Sequence, residues 1–161
     1  MQCDILKIPF YKVDSVSSNK TINLLKKLNI DLILLVVLDV IVKDEFLNTS
    51  KYGVISSHGG LLPQYRGVDC MKWAILNKEN AVGTSTMMLN SGVDTGDIIS
   101  KNKIDLKSEL PSTIELLGKK IFYQKKLKSY LKPTLQLIKK GHINTKKQKL
   151  SAGKQYFSMH K

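Results

Sequence analysis

The hydrophobic pattern of the first half of the chain switches between helical spacing and short apolar runs. Between residues 17 and 29, Ile22, Leu25 and Leu28 recur at helical spacing behind serines that can cap a first turn. Residues 31–38 (DLILLVVL) form a continuous apolar run, too short for most helices and typical of a strand buried on both faces. Residues 43–48 predict one helical turn, and residues 52–58 predict the next strand.

The second half continues this alternation. The pattern predicts a helix over 66–77 and strands over 82–89 and 97–106. Ser112 and Glu115 form a capping box, which predicts a long C-terminal helix that Pro133 bends or splits and that ends at Gly141. The sequence therefore predicts the α/β class, with a mostly parallel sheet flanked by helices. We expect one α/β domain over residues 1–141 and a basic polar tail over residues 142–161.

Composition narrows the class of protein. The chain has 161 residues and is 42% hydrophobic, enough for the core of one domain. No apolar run approaches the roughly 20 residues of a membrane helix, and the first residues do not form a secretory signal. Two cysteines do not make a disulfide framework. These features favour a cytoplasmic protein that does not enter a membrane.

The charge is distributed unevenly. Residues 1–100 contain 10 basic and 10 acidic side chains, whereas residues 101–161 contain 16 lysines and three acids, which is the whole formal excess of +13. Such a region could meet RNA or a nucleotide phosphate. A solvated lysine-rich helix face explains the same composition, and the sequence leaves both interpretations open.

The segment VISSHGGLLPQYRG, residues 54–67, is the first candidate site. Ser56 and His58 are two residues apart in a predicted strand, so they share a face. Gly59 and Gly60 then let backbone or ligand approach closely. The apolar corner 61–63 could line a pocket for a flat ring. In an α/β sheet, chemistry is expected beyond the carboxyl ends of such strands.

A second polar cluster, SGVDTGD over residues 91–97, offers Asp94 and Asp97. A carboxylate beside His58 would fix its tautomer and favour its charged form, so that the imidazole could polarise or protonate a carbonyl oxygen. A histidine at a strand end is more often a structural hydrogen-bond partner, and a glycine pair is often only a turn. Spacing alone leaves catalysis at His58 open.

Two segments of the chain resemble the folate-dependent formyltransferase family. They are HGGLLPQYRG (58–67) and WAILNKENAVGTSTMMLNSGVDTGDII (73–99). That family includes methionyl-tRNA formyltransferase, glycinamide ribonucleotide transformylase and the sugar N-formyltransferases. The resemblance covers about residues 13–106. It implies a Rossmann-like fold and 10-formyltetrahydrofolate as one-carbon donor, with an amine attacking the formyl carbon.

The resemblance also assigns roles to residues. His58 would stabilise the oxyanion and transfer protons, Asp94 would orient His58, and Ser56 falls where the family has an asparagine that donates to the oxyanion. The residues expected to contact the folate form two groups. They are Val40, Ile41 and Val42 after the apolar strand, and Gly59, Gly60, Leu61, Leu62 and Pro63 after the histidine. No metal site is expected.

The sequence departs from the family in two ways. Ser56 reaches less far than an amide, and losing an oxyanion donor costs about 10²–10³ in rate in a protease. The chain also starts later than family members, as if it lacked the first strand–helix units. The strand over 31–38 would then lie at an exposed edge that residues 4–13 or a second copy of the chain could cover.

Two functions follow as alternatives. The first is formyl transfer from 10-formyltetrahydrofolate to a primary amine, on a nucleotide-linked amino sugar or on methionyl-tRNA. The second is a catalytically impaired formyltransferase-like remnant that serves as a folate-binding or interaction domain. Retention of both His58 and Asp94 favours the first alternative, and the serine at position 56 favours the second.

Overall fold

A computed structural model describes residues 5–35, 41–106, 133, 136–137 and 139–156 of the chain. The elements, in chain order, are α1 (Asn19–Leu28), β1 (Ile33–Leu35), α2 (Asp44–Leu47), β2 (Val54–His58), β3 (Tyr65–Gly67), α3 (Cys70–Leu76), β4 (Ala81–Met88), β5 (Ile98–Asp105), a 3-10 turn (Leu150–Ala152) and β6 (Lys154–Tyr156).

Helix α1 begins and ends where local chemistry predicts. The Ser18 hydroxyl accepts a hydrogen bond from the Thr21 amide at 3.2 Å, which satisfies a donor that the first turn leaves free. At the other end, Asn29 adopts the left-handed conformation, with φ of 47°. The buried Ile22 lies on the face that packs against Val42, Phe46 and Val54.

Four strands form one sheet in the order β1-β2-β4-β5. Strands β1 and β2 are parallel, but β2 and β4 are antiparallel, and so are β4 and β5. The prediction of a mostly parallel sheet is therefore wrong for these four strands. Only residues 89–97 join β4 to β5, and a parallel crossover needs about a dozen residues or more, so the two strands form a hairpin.

The helix predicted over 66–77 is shorter than expected. Residues Tyr65–Gly67 form β3, which pairs in parallel with β6 in a separate two-stranded sheet. Gly67 has φ of 95°, which is incompatible with a continuing helix, and α3 starts only at Cys70. The sequence pattern missed β3 because its partner strand lies near the other end of the chain.

The predicted long C-terminal helix lies mostly outside the described residues, so its length stays a prediction. Its described residues, 133, 136–137 and 139–140, are helical. Gly141 then has φ of 69°, and its amide donates to the Leu137 carbonyl at 2.9 Å. This left-handed glycine ends the helix as the sequence predicts.

The four-stranded sheet carries apolar clusters on its two sides. Ile55 packs with Leu137 on one side, and Leu62 packs with Met87 and Ile98 on the other. Among the described residues, no helix has the length and apolar character that crossing a bilayer requires. The sheet is the frame that holds the end of β2, where the candidate site lies.

Candidate active site

His58 and Asp94 form an ion-pair contact at the end of β2. The distance from His58 Nδ1 to Asp94 Oδ2 is 3.3 Å, and the two side chains are only 8% and 19% exposed. The same carboxylate oxygen accepts a hydrogen bond from the Gly67 amide at 2.9 Å. Two segments that are far apart in the sequence, the end of β2 and the loop 89–97, therefore meet here, as the sequence predicts.

The second ring nitrogen of His58 is also engaged. His58 Nε2 lies 2.8 Å from the backbone carbonyl oxygen of Tyr65. A carbonyl oxygen only accepts, so Nε2 must carry a hydrogen. Because Nδ1 faces a carboxylate oxygen, a doubly protonated ring is the form that donates to both neighbours. The Asp94 carboxylate and the Tyr65 carbonyl together fix the position of the imidazole ring.

Gly60 is required by the packing around His58. A Cβ at this position would lie 2.6 Å from His58 Nε2, 2.6 Å from the Tyr65 carbonyl oxygen and 2.8 Å from Cys70 Cβ. All three distances are shorter than real Cβ contacts. The glycine that sequence analysis assigned to ligand approach therefore makes room first for the histidine itself.

Ser85 is a site residue that the sequence did not reveal. It is fully buried in β4 and pairs with His58 in the register of the sheet. Its hydroxyl accepts from the Leu62 amide at 2.9 Å and donates to the Gly60 carbonyl at 2.8 Å. These two bonds fix the loop after the histidine. Nothing in the local pattern distinguishes this hydroxyl from those of Thr84 and Thr86 beside it.

Gln148 is the second residue that sequence analysis missed. Its Nε2 donates to the carbonyl oxygen of Asp94 at 2.9 Å and to that of Gly96 at 2.7 Å. The residue lies in a polar segment without a hydrophobic period, so no local signal points to it. Its role depends on how the end of the chain packs against the loop 89–97.

The remaining predicted residues occupy varied positions. Ser56 is half-buried and lies on the His58 face of β2, where it pairs in register with Met87.

Among the residues expected to contact folate, Gly59, Leu61 and Pro63 are half-buried beside the site, and Leu62 is packed in the core. Ile41 is 67% exposed, Val42 is buried against α1 and α2, and Val40 lies outside the described residues. Their folate contacts stay a prediction.

Two lysines lie near the site. The register places Lys101 of β5 beside Ser85, and Ser85 beside His58, so the three side chains share one face of the sheet. Partial burial lowers the pKa of Lys101, and the neighbouring Lys146 lowers it further. Within the described ranges, no group of three His, Cys, Asp or Glu side chains could hold a metal ion.

Comparison with known proteins agrees with this geometry. The family model described as formyl transferase matches residues 4–131. The chain belongs to the formyl transferase family. A methionyl-tRNA formyltransferase of Clostridioides difficile (strain 630) is 36% identical over 135 residues, which cover 84% of this chain and 42% of that protein. The chain thus spans less than half the length of that relative.

Solved structures of formyltransferases share the fold. Phosphoribosylglycinamide formyltransferase from Bacillus halodurans matches with a TM-score of 0.70 at 23% identity, over 88% of this chain and 75% of that one. The formyltransferase PseJ from Anoxybacillus kamchatkensis, solved with UDP-4,6-dideoxy-4-formamido-L-AltNAc and tetrahydrofolate, matches with a TM-score of 0.70 at 21% identity, over 97% and 79% of the two chains.

Proposed function

We propose that this chain is a cytoplasmic formyltransferase domain that transfers the formyl group of 10-formyltetrahydrofolate to a primary amine. The observation that carries the proposal is the buried contact between His58 and Asp94 at the end of β2, in a chain of the formyl transferase family. The amine nitrogen bonds to the formyl carbon, and the bond from that carbon to the folate nitrogen breaks. The amine loses a proton, the folate nitrogen gains one, and a formamide and tetrahydrofolate result.

His58 and Asp94 have distinct roles in this proposal. As the tetrahedral intermediate forms, negative charge develops on the formyl oxygen, and a protonated imidazole donates to it. Asp94 holds the ring through its 3.3 Å contact with Nδ1 and so orients the imidazole. Ser56, on the same face of β2, is the second donor to this oxygen. General acid catalysis of this kind contributes about 10²–10⁴ in rate.

The contact of His58 with Tyr65 sets a requirement on this mechanism. Nε2 already donates to the Tyr65 carbonyl at 2.8 Å, so donation to a formyl oxygen requires that this bond open or be shared. A buried carbonyl that loses its donor is costly. Binding of the folate must therefore offset the loss of this bond, and the cost is lower if a water or substrate amine donates to the carbonyl in its place.

A phosphate-bearing acceptor fits the charges near the site. Lys101 shares the His58 face of the sheet, and Lys146 is near enough to lower its pKa. An anion beside these lysines would relieve their repulsion. We favour a nucleotide-linked amino sugar, since its diphosphate supplies this charge on a small molecule. Methionyl-tRNA supplies phosphates too, and a steep loss of acceptor affinity with salt would favour it.

The test is formyl transfer by the purified chain. The chain is mixed with 10-formyltetrahydrofolate and a panel of amines, which includes nucleotide-linked amino sugars and methionyl-tRNA, and release of tetrahydrofolate is followed. We expect turnover that falls at least about 100-fold in His58→Ala. His142→Ala is the matched control, because His142 is exposed. Equal turnover in wild type and His58→Ala would contradict the proposal.

A folate-binding remnant is the second candidate function. The serine at position 56 and the engagement of His58 Nε2 by Tyr65 favour it. Here we expect folate to bind without turnover on any amine, and Ser56→Asn to restore transfer by supplying the longer donor. A chain that neither binds folate nor turns over would exclude both candidates.

Strand β1, which lies at the end of the described sheet, is the edge we propose for a second copy of the chain.

A further inference from the structure

The segment 146–156, here called the C-terminal strap, contacts both sides of the candidate active site. At its start, backbone hydrogen bonds of 2.8 Å run in both directions between Lys146 and Ile98. At its end, β6 pairs with β3, and the Tyr156 carbonyl accepts from the Val68 amide at 3.1 Å. One continuous piece of chain therefore bonds to two regions beside the pair His58 and Asp94. These regions are strand β3 and the start of β5, directly after the loop 89–97 that contains Asp94.

Gln148 is the strap residue that reaches Asp94. Its Nε2 donates to two backbone carbonyls, those of Asp94 and Gly96. Because carbonyl oxygens only accept, the amide orientation is fixed, with the nitrogen towards the loop. The other atom, Oε1, is buried and has no hydrogen-bond partner. An unpaired buried acceptor is unfavourable, so Oε1 does not hold the side chain in this position. The two bonds that Nε2 donates do so.

The residue held by Gln148 has a constrained backbone. Asp94 adopts φ of 50°, in the left-handed region that residues other than glycine rarely occupy. Its carboxylate oxygen accepts from the Gly67 amide and contacts His58 Nδ1. Gln148 therefore donates to the backbone carbonyl of the same residue whose carboxylate contacts the histidine. This bond acts on a backbone conformation that is unfavourable by itself.

We propose that Gln148 is a positioning residue for the reaction: by donating to the Asp94 and Gly96 carbonyls, it sets the Asp94 carboxylate against His58. This inference rests on the proposed function for its effect on rate. It also makes a local structural claim that can be measured without turnover. The strap is then part of the active site through a side chain that bonds to the Asp94 backbone.

Three variants separate positioning from general folding. Gln148→Glu keeps the shape of the side chain but removes the donor. The ionised carboxylate would face the two carbonyl oxygens to which Gln148 donates, and it cannot bond to either. Gln148→Lys restores a donor of sufficient length. Gln155→Glu is the matched control, the same change at an exposed position of β6 on the same strap. All three are made in the full chain.

Three readouts are compared. The first is the split of kcat and KM in formyl transfer. The second is the exchange rate of the Gly67 amide hydrogen. This amide donates to the Asp94 carboxylate at 2.9 Å, so its exchange rate reports whether the carboxylate stays in place. The third is the emission of Trp73, the single tryptophan of the chain, which lies 5.3 Å from the Tyr156 ring and reports docking of the strap.

For Gln148→Glu we expect kcat to fall at least about tenfold with little change in KM for the folate, and Gly67 exchange to accelerate about tenfold. Trp73 emission stays unchanged. Gln148→Lys recovers most of both losses, and Gln155→Glu behaves as wild type. A change of Trp73 emission in Gln148→Glu, or unchanged Gly67 exchange, would overturn the positioning role. If the wild type itself shows no turnover, the proposed function fails, and Gly67 exchange still decides whether Gln148 places Asp94.

Discussion

At the scale of single residues, Gly60 shows how closely the site is packed. A Cβ there would lie within 2.6 Å of both His58 Nε2 and the Tyr65 carbonyl oxygen. We expect Gly60→Ala to displace the imidazole, to destabilise the fold by about 1–3 kcal/mol, and to abolish transfer in the molecules that remain folded. Denaturant unfolding and activity per folded molecule measure the two effects.

Gly141→Ala is the control for this prediction. Its Cβ would meet nothing within 4 Å, but its φ of 69° makes alanine unfavourable by about 1 kcal/mol. This variant should lose stability and keep its activity per folded molecule. If Gly60→Ala retains activity as well, the contact between Gly60 and His58 does not constrain the histidine in the way proposed.

At the scale of elements, β4 contains buried hydroxyls with opposite roles. Ser85 is bonded to the Leu62 amide and the Gly60 carbonyl, whereas Thr86 Oγ1 is buried with no partner. We expect Ser85→Ala to cost about 1–3 kcal/mol, because it leaves two buried backbone groups unpaired. Thr86→Val, which removes an unpaired hydroxyl and keeps the shape, should be neutral or stabilising. Urea unfolding followed by circular dichroism compares the two.

Comparing Ser85→Ala with Thr86→Val separates the effect of burial from the effect of hydrogen bonding. Ser85 and Thr86 are both fully buried, and they point to opposite faces of the sheet. A similar loss in both variants would mean that burial alone governs their stability and that the bonds of Ser85 contribute little. A loss confined to Ser85→Ala would identify its hydroxyl as the support of the loop after His58.

The elements also show which features the sequence can predict. Helix α1 follows from local signals, since its cap, its apolar stripe and its terminal asparagine lie within one segment. Strand β3 does not, because its pairing with β6 joins residues from opposite parts of the chain. Alternation of helices and strands predicts parallel pairing, but the connection between β4 and β5 is too short for it.

The site divides in the same way. His58 and Asp94 lie in two segments that resemble a known family, and that resemblance implies the contact that the structure shows. Ser85 and Gln148 act through neutral hydrogen bonds to backbone atoms, and such bonds leave no pattern in a single sequence. Supporting residues of a site are therefore harder to predict than the ionisable residues that they support.

At the scale of the whole molecule, Tyr65 links three parts of the fold. Its hydroxyl donates to Glu79 Oε1 at 2.7 Å and accepts from Asn77 Nδ2 at 3.1 Å, while its ring stacks on Tyr156 of the strap at 5.0 Å. Burial raises the pKa of the Tyr65 phenol from 10.0 to about 12; the hydrogen bond from Asn77 works against this rise, and the hydrogen bond to Glu79 adds to it. The folded state therefore prefers the neutral phenol over a range in which the unfolded chain ionises.

This difference predicts how global stability depends on pH. Because the folded pKa is raised, its contribution is fully present below pH 10 and is lost as the pH rises from 10.0 to about 12. Tyr65→Phe should start less stable, since it lacks the bond to Glu79, but decline less over that range. Tyr11→Phe, at a half-exposed position, is the control. Urea unfolding at a series of pH values measures this, and parallel curves for Tyr65→Phe and wild type would show that ionisation of Tyr65 is not coupled to folding.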